Sequence, residues 1–249
     1  MRVAFDVIGS GDKAVAIVEA KEGASPKEIA KQIMEKHSNV KSVLEKVSGR
    51  QGKFRTYKLK LIAGDKNTEV LHKEHGMVFK LDPQKVYFSP RESQERQRIA
   101  NLVKPNEQVL VMFSGAGPFA IAIAKAQPSA EITAVDANRT AIKYADENRK
   151  LNRAWNVKNI CKDAEKFSSK EKFNRIIMPL PESAWKFLPQ AIKWAKKGAV
   201  IHLYAIGSDA KKLKDVNDKI PKGLKIVSRE KVLPFAPRKW KIRIDLQKA

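Results

Sequence analysis

The chain has 249 residues, of which 43% are hydrophobic and 31% charged, a balance that supports a packed core and leaves room for one large or two modest domains. Its longest apolar stretch, Phe119–Ala124, falls far short of the ~20 residues of a membrane-spanning helix, no basic and then apolar leader opens the sequence, and a single cysteine, Cys161, excludes an intrachain disulfide framework and a cysteine-rich zinc module. Fifty Lys+Arg against 27 Asp+Glu leave a net charge of +23 spread along the whole sequence. That field attracts polyanions and points to nucleic acid rather than to an anionic membrane, because no basic amphipathic anchor stands out. A soluble, cytoplasmic protein is expected.

Up to about residue 85, short alternating or apolar runs predict strands at Val3–Ile8, Ala14–Glu19, Phe54–Ala63, Glu69–His72 and Met77–Leu81. One helix interrupts them: Ser25 supplies an N-cap, Pro26 the first helical position and Glu28 the third residue of a capping box, with Ile29 and Ile33 at helical spacing. The expected unit is a small α+β domain over residues 1–85, on the RNA or substrate side of the protein. From residue 86 to 249 the rhythm becomes strand–helix alternation. Helices are predicted at Pro90–Val103, Pro118–Ala126, Thr140–Leu151 and Ser183–Lys196, and strands at Val109–Phe113, Ile132–Val135, Ile160–Lys162, Phe173–Met178 and Ala199–Tyr204. Near-continuous apolar strands between helices indicate a parallel sheet buried on both faces, an α/β Rossmann-like domain. Lys225–Leu233 and Lys239–Leu246, with a turn near Pro234–Pro237, complete it as an antiparallel hairpin.

In such a sheet, ligands bind beyond the carboxyl ends of the strands where the strand order reverses. The first strand runs into Phe113-Ser-Gly115-Ala-Gly117-Pro118, whose glycines permit a tight turn and close backbone approach. About twenty residues on, Asp136 ends the second strand, followed by Ala137-Asn138. A carboxylate there can accept both hydroxyls of a ribose; its alternative use is as the N-cap of the helix that follows. Asp163-Ala164, after the third strand of this set, could face an adenine edge, although a turn aspartate explains Asp163 almost as well. One glycine pair without a third glycine favours a nucleoside cofactor that has no pyrophosphate. S-adenosylmethionine fits that description, except that Val111 stands where methyltransferases of this type usually carry an acidic residue in the first strand.

Lys85-Val-Tyr87-Phe-Ser-Pro-Arg91, Ser93-Gln-Glu95-Arg96, Met112-Phe-Ser-Gly-Ala-Gly-Pro-Phe119, Glu147-Asn148-x-x-Leu151-Asn152 and Phe235-Ala-Pro-Arg238 together resemble the archaeal/eukaryotic tRNA (guanine-37-N1)-methyltransferase family. Gly52-Lys-Phe-Arg55 and His72-Lys-Glu-His75-Gly76 extend the likeness, which runs from Phe5 to Asp245. The family's additional N-terminal domain is expected to be absent. The resemblance implies a class I S-adenosylmethionine-dependent methyltransferase acting on tRNA. It implies Glu95 as the base that removes the guanine N1 proton and Arg55 as the group that stabilises charge on O6, roles that the chemistry itself requires. It places Tyr87, Arg91, Phe113, Gly115, Gly117, Asp136, Asn138, Asp163, Ala164 and Pro179 at the cofactor and substrate pocket.

A competing reading makes Glu95 the surface ion-pair partner of Arg91, four residues earlier on one helix face. Pro179, in Met178-Pro-Leu-Pro181, replaces the asparagine of the family's Asn-Leu-Pro and offers neither its amide nor a backbone N–H. Wyosine-pathway transfer at the same base, of a methyl or an aminocarboxypropyl group, and a non-catalytic tRNA-binding paralogue are the alternatives. No metal is expected, since His72 and His75 around Glu74 lack further ligands. Cys161 reads as a core residue, and Trp185, Trp194 and Trp240 as core or interface anchors.

Overall fold

The computed structural model describes residues 4–19, 25–51, 56–208 and 220–249. Strands β1 (Phe5–Ser10) and β2 (Lys13–Val18) form a hairpin, α1 (Pro26–Lys36) crosses over, and β3 (Val40–Gln51) pairs parallel to β2 and antiparallel to β4 (Thr56–Gly64), giving a sheet in the order β1-β2-β3-β4. Ser25 caps α1 as its sequence predicts, its side chain accepting from the Glu28 N–H. The period-two alternation of β2 then divides the chemistry: Ala14, Ala16 and Val18 pack with Ile29, Ala30 and Ile33 of α1, while Val15 and Ile17 face the opposite way.

That opposite face is covered by a second hairpin, β5 (Val70–Glu74) and β6 (Met77–Leu81). Beyond it come a 3₁₀ turn at Pro90–Glu92, α2 (Ser93–Asn101), β7 (Gln108–Met112), α3 (Pro118–Ala126), β8 (Glu131–Asp136), α4 (Arg139–Leu151), β9 (Val157–Cys161), β10 (Phe173–Met178), α5 (Leu188–Trp194), β11 (Ala195–Gly207), β12 (Leu224–Ala236) and β13 (Lys239–Lys248). These strands make a seven-stranded sheet in the order β12-β13-β11-β10-β7-β8-β9, with β13 antiparallel to both of its neighbours. The order therefore reverses between β7 and β10. The predicted Rossmann-like sheet and its closing hairpin are both present. Cys161, in contrast, is exposed at the end of β9 rather than in the core, because among the described residues β9 is the edge strand of its sheet.

Ile8, Val15, Ile17 and Leu44 of the four-stranded sheet share one buried cluster with Phe79 and Leu81 of the hairpin and with Ile99, Val111, Phe119 and Ile121 of the larger domain. The two sheets are thus joined by a continuous core. Polar groups fix the same junction. Asn148 and Asn152, one turn apart on α4, bond the free edge of β6: Asn148 accepts from the Lys80 N–H at 2.6 Å and Asn152 from the Val78 N–H at 2.9 Å, and their amide groups donate to the carbonyls of the same two residues. Asn148 also donates to the Ala116 carbonyl in the glycine turn. Arg96 on α2 grips Glu74 of β5 with two parallel bonds, Nε to Oε1 at 2.7 Å and Nη2 to Oε2 at 2.5 Å.

Candidate active site

The carboxyl ends of β7, β8 and β10 open on a cavity of about 400 Å³. Phe113, which follows β7, takes the left-handed conformation at φ 54°, an unusual state for a non-glycine residue and one that clusters at ligand sites. Its ring packs edge-on to Phe187 at 5.0 Å. Gly117 has φ 86°, a left-handed conformation that glycine adopts without strain and that lets the turn enter α3.

Asp136 braces this turn. One carboxylate oxygen accepts from the Gly115 N–H and the other from the Asn138 N–H, each at 2.8 Å. Burial pushes its carboxyl above the ordinary 3.8, while the Asn138, Gly115 and Ala137 N–H groups pull it down. The cap of α4 is Asn138, whose side chain accepts from the Thr140 and Ala141 N–H groups, so the alternative use of Asp136 as a helix cap is not realised. Asp163, Ala164, Leu180 and Pro179 extend the wall, with Tyr87 and Glu92 at its far side.

Arg91 does not join this wall. Its Nε donates to Asp6 of β1 at 2.6 Å, and it lines a second cavity of about 550 Å³ between the small sheet and the larger domain. Tyr57, Phe88, Leu233 and Phe235 share that cavity, and Tyr87 borders both cavities, its ring 6.3 Å from that of Tyr57. Arg55 lies outside the described residues.

Glu95 lines neither cavity. It is 5% exposed, and one of its oxygens accepts from the Tyr204 hydroxyl at 2.7 Å and from Arg243 at 3.2 Å, with Arg98 3.7 Å from the other. The competing reading, a Glu95–Arg91 pair, is not realised: Arg91 pairs with Asp6, and Glu95 takes partners from β11 and β13, far along the chain. One turn earlier, Glu92 accepts from Lys241 Nζ at 2.8 Å and from the Tyr87 hydroxyl at 3.3 Å. Lys241, Arg243 and Asp245 share one face of β13 by strand alternation, and Ile242, Ile244 and Leu246 fill the core from the other. The polar row continues inward. Asp245 lies 2.6 Å from Nδ1 of His202, whose Nε2 is 2.8 Å from Arg175, itself paired with Glu107. The sequence reading found neither Glu92 nor this row, because only the long-range pairing of β13 assembles them.

His72 accepts from the Gly9 N–H and stands 3.8 Å from Glu74, a structural use for both residues. Trp194 packs edge-on to Phe167, and Lys231 covers Trp240.

Residues 70–231 match the model of the TRM5/TYW2 methyltransferase domain, and residues 2–68 that of the TYW2 N-terminal domain, which spans the small sheet. The chain is 39% identical over 253 residues to the tRNA (guanine(37)-N(1))-methyltransferase Trm5b of Pyrococcus abyssi, covering 98% of this chain and 74% of that protein. Its fold superposes on that of aTrm5, solved in complex with tRNALeu, with a TM-score of 0.87 at 34% identity, covering 99% of this chain and 72% of the other. It also matches TYW2 of P. horikoshii, solved in complex with MeSAdo, with a TM-score of 0.81 at 27% identity over 98% and 90% of the two chains.

Proposed function

The chain belongs to the TRM5/TYW2 methyltransferase family, and we propose that it transfers the methyl group of S-adenosylmethionine to N1 of guanine 37 in tRNA. The observation that carries this reading is the pair of cavities that meet at Tyr87, one at the sheet's switch point and one between the domains. The first suits a nucleoside cofactor. Its carboxylate Asp136 is held by backbone N–H groups and keeps lone pairs for ribose hydroxyls. Helix α3 starts with Pro118, which has no N–H to give a pyrophosphate, so a dinucleotide is poorly served. Asp136 would hold the ribose, Asp163 and Ala164 the adenine, and Phe113, Gly115, Tyr87 and Pro179 the methionyl portion. Bound there, S-adenosylmethionine supplies an electrophilic methyl group on a sulfonium.

The chain's own residues have three tasks. A base at position 37 must leave its stack to reach the site, and the second cavity, edged by Tyr57, Tyr87 and Phe235, gives it an aromatic-lined space. Removing the N1 proton falls to Glu95, whose carboxylate accepts from the Tyr204 hydroxyl and from Arg243 and lies one helical turn from the cavity-lining Glu92, so it must turn toward the cavity to reach the base. Arg55 supplies positive charge for O6. The net charge of +23 supports a polyanionic partner such as tRNA. Among the described residues no helix is long and apolar enough to cross a membrane; with tRNA as the substrate, we place the activity in the cytoplasm.

The test is incubation with methyl-labelled cofactor and unmodified tRNA, followed by digestion to nucleosides. Labelled N1-methylguanosine is the expected product; its absence from folded, cofactor-binding protein overturns the reading. A second reading, transfer to a wyosine-type tricyclic base, is favoured by the match of residues 2–68 to the TYW2 N-terminal domain. Separate labels on the methyl and the aminocarboxypropyl carbons, with tRNA carrying the tricyclic precursor, distinguish it. A non-catalytic paralogue, suggested by Val111 and Pro179, would bind tRNA and leave the cofactor unbound.

A further inference from the structure

Class I sites commonly place a carboxylate at the end of the first strand, but here β7 carries Val111, fully buried and packed in the core cluster. No carboxylate reaches the cavity from that strand. Four others line it: Glu92, Asp136, Asp163 and Glu165. Asp136 ends β8, and Asp163 and Glu165 follow β9, so these three stand on one side of β7. Glu92 stands on the other. Its partner Lys241 belongs to β13 and pairs with Ile206 of β11, beyond β10, whereas β8 and β9 lie to the opposite side of β7. Strands spaced about 4.8 Å apart put several ångströms of sheet edge between the two groups of carboxylates.

A cofactor whose ribose lies on Asp136 and whose adenine lies by Asp163 directs its amino-acid end toward Glu92. That end carries an ammonium group. Building on the cofactor assignment above, we propose that Glu92 binds the α-ammonium of S-adenosylmethionine and takes over, from the turn before α2, the duty that the first strand does not perform here. Lys241 is the positioning residue. Its Nζ lies 2.8 Å from Glu92 and 4.6 Å from the centre of the Tyr204 ring, and at 3% exposure it has no solvent-facing alternative. The pair holds the carboxylate in place.

Calorimetric titration with three probes tests this: S-adenosylmethionine, S-adenosylhomocysteine, which keeps the ammonium but has no sulfonium charge, and methylthioadenosine, which lacks the amino-acid end. Glu92→Gln should weaken the first two by about ten- to hundredfold, the range of a charge-assisted hydrogen bond, and leave the third unchanged. Since Glu92→Gln strands the buried Lys241 charge, the double variant Glu92→Gln with Lys241→Met is titrated beside it, with melting temperature as the folding check. It buries no lone charge and should show the same selective loss. Unchanged binding of S-adenosylmethionine by the folded double variant overturns the proposal. So does a loss confined to S-adenosylmethionine, which would assign Glu92 to the sulfonium, or an equal loss for all three probes. Native chain that binds none of the three overturns the cofactor reading, and the proposal with it.

Discussion

Asn148 and Lys80, 68 positions apart, are joined as two adjacent strands would be: the Asn148 carboxamide accepts from the Lys80 N–H at 2.6 Å and donates to its carbonyl at 3.1 Å. Asn152 repeats the arrangement with Val78. The exposed edge of a two-stranded hairpin is thereby closed by a helix. Because Asn148 also holds the Ala116 carbonyl, the hairpin, α4 and the glycine turn form one unit. Asn148→Ala should destabilise the protein by on the order of 1–3 kcal/mol for each buried backbone group it orphans, read as a lower midpoint in urea unfolding. Cofactor affinity should also weaken, as the glycine turn loses its tether. Unchanged unfolding would show that water replaces the amide without cost.

Asp136 has two tasks that a substitution can separate. Asp136→Asn keeps one acceptor for the turn but removes the charge and the second acceptor, whereas Asp136→Ala removes both. Affinity for S-adenosylmethionine should fall in the order native, Asn, Ala, with a total loss of about ten- to hundredfold. Equal binding by all three in calorimetry would mean that Asp136 serves the turn alone.

Glu95→Gln should lower turnover by about 10²–10⁴-fold, the usual contribution of a general base, with little change in cofactor affinity. The deficit should narrow as pH rises, because solvent then helps to deprotonate guanine N1. Tyr204→Phe, which removes one donor to the same carboxylate, should depress turnover less. Near-full activity of folded Glu95→Gln at neutral pH would reduce Glu95 to a structural anchor for Arg243.

The row of buried charges beneath β13 sets a pH dependence of stability. Burial holds His202 below its ordinary 6.5, with Asp245 opposing, and Arg175 and Arg243 adding to the depression. The unfolded chain therefore binds this proton more readily, and the stability His202 contributes is present above pH 6.5 and lost as pH falls below it. His72, also lowered by burial, acts in the same window and the same direction. Asp245 is brought down to about 2: burial raises it, but the His202 contact, the Ser228 hydroxyl and Arg243 together outweigh that effect. Its contribution is complete above the ordinary 3.8 and disappears as pH falls toward about 2. Melting temperature should decline between pH 7 and 5 and again below 4, and His202→Gln should flatten part of the first decline. A profile level from pH 7 to 5 would refute the assignment.

Where local chemistry decides, the sequence was legible. The cap at Ser25 starts α1, and the predicted bounds of α3 and β10 agree with the structure. Strand β3 was missed for a physical reason. Val40, Val43, Leu44 and Val47 recur at helical spacing, and only pairing with β2 and β4 makes the segment extended. The glycine turn and Asp136 were legible because strand, turn and carboxylate follow within about twenty residues. Glu92 was hidden, since its chemistry depends on Lys241, 149 positions away, and so was the position of Glu95 beneath the cavity walls, set by Arg243, 148 away.

Those two separations bear on the order in which the molecule assembles. Glu92 and Glu95 are buried in the finished fold, and Lys241 and Arg243 reach them only when β13 inserts between β11 and β12. Until then, desolvating the start of α2 would bury two carboxylates without these two cations, so this turn should stay hydrated while the glycine turn and β7–β9 consolidate. Amides of α2 should then gain protection from exchange together with those of β13, late in refolding, and competence to bind the cofactor should appear in that same slow phase.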